Sequence, residues 1–274
     1  MPRTPPETMF GVENEYGISW PDLSQIRHGS QLPDTSTSEW ATDLFISYFC
    51  FFASRKSPLA LLEQTEEPLP EAFRPAWLWP NGSKAHADVH HPEYSTPECN
   101  SPYMAALHVK AGEYLFEIVL RSLNKKIALI DKKNTAVITS RKYKEFMRAK
   151  NKRLKNGLGP MGIQKNNADF LGNSYGTHEN YLCLRDKIID DIDGLAMLNA
   201  GQFDKIRYNL IPFLLTRQIF SGAGGFWNDE QGNWRYVLSP RTLATSALFN
   251  ISSSAVSHEL GRPCISIKDQ PLAD

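Results

Sequence analysis

Along residues 10–19, Phe-Gly-Val-Glu-Asn-Glu-Tyr-Gly-Ile-Ser, apolar and polar side chains alternate as in a half-buried strand. Successive strand side chains leave opposite faces, so Glu13 and Glu15 send both carboxylates to the same face. A polar loop with Pro21, Pro33 and Asp34 follows. Ser36 and Glu39 form a capping box ahead of an aromatic-rich helix over roughly residues 37–54. Residues 55–80 are proline-rich and acidic and read as a loop, and residues 84–90 read as a second strand. Ser101 and Pro102 supply an N-cap and first helical position for a helix running to about Leu123, with a short strand expected at 127–130.

The pattern then turns basic. Lys142, Lys144, Arg148, Lys150, Lys152, Arg153 and Lys155 face a single acid, Glu145, in a helix-compatible stretch closed by Gly157 and Pro160. It reads first as a solvated surface helix, and alternatively as a docking patch for an acidic partner. Strands near 163–168 and 179–185 flank a turn at 172–176. A helix over 204–220 carries Pro212, which should kink it. The remainder from Trp227 reads as two or three strands with a helix near 241–256. Strands and helices alternating without a Rossmann or Walker glycine signature predict an α+β fold with a mainly antiparallel sheet.

Bulk properties narrow the function classes. The 274 residues carry 30 basic and 30 acidic side chains, so no global field draws nucleic acid or a membrane surface. The longest apolar run, 44–52, is broken by Ser47 and falls far short of the roughly 20 residues that span a bilayer. Cys50, Cys99, Cys183 and Cys264 are scattered, with no Cys-x-x-Cys pair, and the first residues are polar and proline-rich. A cytoplasmic location is expected.

Four constellations could do chemistry. Glu13 and Glu15 offer the convergent oxygens that a hard cation needs, although an exposed strand with two glutamates is commonplace. The segment from His86 to Cys99, with three histidines, three acids and a cysteine, is dense in possible ligands. Zinc is disfavoured because adjacent His90 and His91 point to opposite faces; the segment reads better as a strand edge supplying an acid-base group, Asp88, and an oxygen ligand, Glu93. Lys165-Asn166-Asn167 with the turn entering His178, Glu179 and Asn180 could meet a nucleotide, or be a tight turn with satisfied side chains. Arg217, in an apolar helix, demands a partner, either phosphate or a structural carboxylate.

Taken together and in order, these segments resemble the Pup ligase and Pup deamidase-depupylase family. The stretches carrying the resemblance are Gly11-Val-Glu-Asn-Glu-Tyr-Gly-Ile18, Asp88-x-x-His-Pro-Glu-Tyr-Ser-x-Pro-Glu-Cys99, Lys110-Ala-Gly-Glu113, Lys165-Asn-Asn167 with Asp169, Ser174-Tyr-Gly-Thr-His-Glu-Asn-Tyr-Leu182, Pro212-Phe-Leu-Leu-Thr-Arg-Gln218, and Leu238-Ser239 with Arg241. The resemblance implies a glutamine-synthetase-like (carboxylate-amine ligase) fold, a curved antiparallel sheet backed by helices that cradles ATP and Mg2+. It implies Glu13 and Glu93 as magnesium ligands, Asp88 as the catalytic aspartate and Thr96 as a nucleotide contact. His86 stands where the family has a metal-binding tyrosine, and Lys84 where it has an ATP-contacting arginine. Glu15, His178 and Arg217 are further site residues on the same basis.

The implied reaction activates a glutamate side chain at the C-terminus of a small ubiquitin-like, Pup-like modifier with ATP, for attack by a lysine of a target protein. The alternatives are a depupylase or deamidase hydrolysing the same bond, and a non-catalytic binding half-protein. Residues 265–274 resemble a motif that lies mid-chain in the family. The expectation is therefore a single incomplete catalytic domain over 1–274, with a basic insertion near 132–160 and the family's C-terminal part absent. A second polypeptide completing the site, a fragment, or lost activity would each account for that.

Overall fold

Alternation at the start of the chain becomes strand β1 (Met9–Glu15), which Tyr16 separates from β2 (Gly17–Ser19). The computed structural model describes residues 9–20, 37–56, 76–88, 90–128, 159–165, 175–182, 189–192, 195–198, 206–229, 231–243, 247–251 and 263–267. The basic stretch 132–157, Ser36 of the expected capping box, Asn166, Asn167 and the glycine turn up to Ser174 lie outside these residues, as do residues 268–274. The chain divides into two compact units, one comprising 10–165 with 177–180, the other mainly 181–274.

The first unit is organised around a five-stranded sheet. It contains β3 (Ala76–Leu78), β4 (Lys84–Asp88), β5 (His91–Ser95) and β7 (Thr177–Leu182), in the order β3-β4-β5-β1-β7. β3, β4, β5 and β1 pair antiparallel throughout. β2 pairs separately with β6 (Gly162–Gln164).

Two helices cover one face of this sheet, α1 (Thr37–Lys56) and α2 (Pro102–Ala128). Ser101 caps α2 as expected, its hydroxyl accepting from the Met104 N–H at 3.2 Å. The helix runs past Leu123 to Ala128, so Ile127 and Ala128, expected to open a strand, are helical. Ile127 instead continues the buried series Phe116, Val119, Leu123, whose three- and four-residue steps trace one helix face.

The core lies between helices and sheet. Phe45 and Phe49 of α1 meet Phe116 of α2 at ring separations of 5.2 and 5.5 Å, and Tyr94 and Tyr16 close the cluster at 6.3 and 5.0 Å from Phe116. Gly112 lets α2 lie against the sheet, since a Cβ there would fall 2.3 Å from the Tyr94 ring. Polar bonds fix the ends: Tyr48 and Ser122 hydroxyls meet at 2.9 Å across the helices, and the Asn124 amide bonds both the N–H and C=O of Met161 at 2.8 Å.

In the second unit, β8 (Ile189–Ile192) pairs antiparallel with β9 (Leu195–Leu198), and β10 (Gly225–Asn228) with β11 (Trp234–Val237). The helix expected over 204–220 is broken into a π-helical turn (Ile206–Leu210), α3 (Ile211–Thr216) and α4 (Gln218–Ser221), the irregular turn preceding Pro212, which lacks an N–H. Near 241–256 the chain forms only α5 (Pro240–Leu243) and then strand β12 (Ala247–Ile251), which pairs parallel with β13 (Pro263–Ile267). The α+β class and predominantly antiparallel pairing match the sequence expectation. Among the described residues no helix is long and apolar enough to cross a membrane.

Candidate active site

Strand register decides which side chains meet. Glu15 lies opposite Glu93 on β1 and β5, and Glu93 lies opposite His86 on β4. One step along, Glu13 lies opposite Ser95, and Ser95 opposite Lys84; Asp88 pairs with His91 at the hairpin end. Residues two apart share a face, so Glu13, Glu15, Glu93, Ser95, Lys84, His86 and Asp88 occupy one side of the sheet. Intervening Asn14, Tyr94, Ala85 and Ala87 are buried on the other side.

Two carboxylate groups result. Oxygens of Glu15, Asp88 and Glu93 lie within 4.8 Å of one another, and so do ligand atoms of Glu13, Glu93 and His178. Glu93 belongs to both, and its side chain is 5% exposed. Its neighbours are distant ones, with the Ser95 hydroxyl donating to Oε1 at 3.5 Å and His86 Nε2 3.5 Å away. His178, on β7, places Nδ1 3.3 Å from Glu13 and Nε2 3.9 Å from Glu15. Its position is set by Asn14, whose buried amide oxygen accepts from the Thr177 hydroxyl at 3.0 Å.

Electrostatics follow from this crowding. Burial, then the charges of Glu13, Asp88 and Glu15, push the Glu93 carboxyl up to about 8. Burial also raises Glu13, but hydrogen bonds from His178 and Asn180 and the His178 charge outweigh it and hold the group below its usual range. The Glu13 hydrogen bond raises His178 against the opposing effect of burial, assisted by Glu15 and Glu93. Burial and then Lys84 depress His86 to about 4, so it is a neutral imidazole at physiological pH; its Nδ1 is buried with no partner. A cluster holding more carboxylate oxygens than nearby cations fits a divalent metal ion, and carboxylate-rich donors suit magnesium or manganese.

Other expected site residues are placed differently. Thr96 is buried and its hydroxyl accepts from the Val12 N–H at 2.9 Å, tying β5 to β1. Arg217 lies in the second unit between α3 and α4, with its guanidinium 5.8 Å from the Phe213 ring centroid. Ser95, which bonds Glu93, is not singled out by the sequence, and Asn180, read there as a nucleotide contact, bonds Glu13 instead. Ser95 could have been found, since Glu93-x-Ser95 repeats the same-face spacing of Glu13-x-Glu15. The Lys110 and Lys165 motifs are joined through Glu113, whose carboxylate accepts from both ammonium groups at 2.6 and 2.7 Å.

The first unit thus joins an antiparallel sheet with a helical back to an acidic front. The chain belongs to the Pup-ligase protein family, whose model matches residues 8–274. The Pup–protein ligase of Nocardioides sp. is 31% identical over 267 residues, covering 97% of this chain and 43% of that protein. That of Acidimicrobium ferrooxidans is 32% identical over 275 residues, covering 100% of this chain and 44% of the relative. A crystal structure of the complex between prokaryotic ubiquitin-like protein Pup and its ligase PafA matches with a TM-score of 0.49 and 22% identity, over 86% of this chain and 34% of that one. The chain thus spans less than half the length of these relatives.

Proposed function

We propose that this chain carries the cation-binding and acid-base face of an ATP- and Mg2+-dependent ligase. It would join the C-terminal glutamate side chain of a small Pup-like modifier to lysines of target proteins. The supporting observation is the convergence of Glu13, Glu15, Asp88 and Glu93 on one sheet face, with Glu93 buried at the centre. Curated relatives named Pup–protein ligase favour ligation over hydrolysis. The helix-backed antiparallel sheet supports reading the fold as glutamine-synthetase-like.

Glu13 and Glu93, with Glu15 and His178, would hold the metal ion. When bound, magnesium supplies positive charge against the phosphates of the nucleotide. Lys84, on the same face, carries an ammonium group toward that region. Arg217 and Thr96 are proposed nucleotide contacts on family resemblance, although the Thr96 hydroxyl is here bonded to Val12. A lysine nucleophile has an ordinary pKa of about 10.4 and must lose a proton to react near neutrality. Asp88, at the mouth of the hairpin beside Glu15 and Glu93, is the proposed base.

The test is isopeptide formation between a Pup-like modifier ending in glutamate and a lysine-bearing protein, with ATP and magnesium. It should be run on this chain alone and together with a polypeptide supplying the remaining family length. Product dependent on ATP and lost in Asp88→Asn supports the reading. No product and no magnesium-dependent ATP binding in either arm would leave a non-catalytic binding protein.

A further inference from the structure

The hairpin that carries Asp88 is tied down from the rear of the sheet, by residues with no place in the chemistry above. Asp88 ends β4 and pairs with His91, the first residue of β5. The His90 carbonyl accepts a 2.6 Å hydrogen bond from the Thr42 hydroxyl, in the second turn of α1. Glu39, one turn earlier on the same helix, places Oε2 3.7 Å from His90 Nδ1. Thr42 is 0% exposed, and among the described residues the other buried side chains of α1 are apolar except for the phenol of Tyr48. A hydroxyl in such surroundings costs free energy unless it is bonded, and an aliphatic group of the same shape would fill the space equally well. Packing therefore does not explain it, whereas the bond to the turn does.

We propose that Thr42, seconded by Glu39, is a positioning residue for Asp88, acting through the His90 carbonyl; this rests on the reading of Asp88 as a site residue. Asp88 stands in the last ladder pair, so the ladder holds it from one side only. The carboxylate of Asp88 lies within 4.8 Å of those of Glu15 and Glu93, so its charge adds to the hold on a cation there, and a small tilt of the turn would carry it out of the group. Displacements of about 1 Å at such centres cost on the order of 100-fold.

The experiment uses the whole chain and Mn2+ alone as the probe, titrated by electron paramagnetic resonance. Thr42→Val, which removes the hydroxyl and keeps the shape, should weaken Mn2+ binding about tenfold, in the range of second-sphere substitutions. Thr42→Ser should restore affinity to within about twofold of the parent, because it keeps the hydrogen bond. In an Asp88→Asn background Thr42→Val should cause no further loss, as expected of a residue acting through Asp88. Additive losses, a valine variant that binds like the parent, or failure of serine to restore binding would overturn the proposal. If thermal melts show the valine variant unfolded, Glu39→Gln takes its place in the cycle, and an additive or absent effect there overturns it equally. A parent chain that binds no Mn2+ would instead refute the cation site itself.

Discussion

Glu15 and Glu93 face each other directly across the β1–β5 ladder, two carboxylates in a place where like charges repel. Both are buried, at 7% and 4% exposure, so solvent screens little of that repulsion. Their juxtaposition lowers stability where both are charged, above about pH 8, unless a cation intervenes. We expect Glu15→Gln to raise the melting temperature of metal-free protein above about pH 8 by several degrees, equivalent to roughly 1–2 kcal/mol, and to reduce the stabilisation that magnesium confers. Differential scanning calorimetry with and without the metal reads both effects. A variant less stable than the parent in metal-free buffer would contradict the argument.

The same pair predicts a pH dependence. Glu93 titrates near 8 in the fold against an ordinary 4.5, so the folded state holds the extra proton between those values. Its contribution to stability is complete below about pH 4.5 and is lost as pH rises through about 8. Metal-free protein should therefore melt at progressively lower temperature across that window, and saturating magnesium should flatten the decline. A melting temperature indifferent to pH in the Glu93→Gln variant would assign the slope to this group.

Asp88→Asn keeps shape and volume but removes the base. Turnover in the ligation assay should fall by roughly 100-fold or more, while calorimetric ATP binding persists. Unchanged turnover would remove Asp88 from the mechanism.

Gly112→Ala tests the helix-to-sheet contact. The new methyl would fall 2.3 to 2.6 Å from three atoms of the Tyr94 ring, so α2 must lift or the ring must turn. A loss of about 1–3 kcal/mol is expected from overpacking, visible in urea denaturation as a lower midpoint at constant slope. The replacement suits a helix intrinsically, so a stabilised variant would show that the contact gives way freely.

Burial pushes the Cys50 thiol up to about 12. In native protein near pH 8.5 it should resist iodoacetamide, reacting on the order of 100-fold more slowly than in denaturant, where it returns to the ordinary range near 8.5. Peptide mass spectrometry after timed quenching reports this site separately from the other cysteines.

The parts legible in the sequence were those governed by local periodicity. Glu13 and Glu15 were assigned a shared face from alternation alone, and Ser101 and Pro102 located the start of α2. What escaped depends on partners distant in the chain. Ala76–Leu78 is three residues at the end of a proline-rich segment, and it is a strand because β4 lies alongside. Pro92 argues against a central strand, yet β5 is one. The ladder to β1 ends at Glu15–Glu93, so the missing N–H falls just past it, while the Pro92 carbonyl still accepts from Tyr16 at 2.9 Å. In the sequence His178 reads as a nucleotide contact; its proximity to Glu13 and Glu15 follows from β7 pairing beside β1, which no local pattern reveals.

Core and chemistry alternate letter by letter in β1, β4 and β5. Inserting or deleting one amino acid midway along any of these segments would turn charged or polar side chains toward the phenylalanine cluster and carry residues that pack there to the opposite face. Evolution can therefore exchange side chains here but cannot change their number, and gene variants should tolerate substitution in these stretches far better than frame-preserving indels.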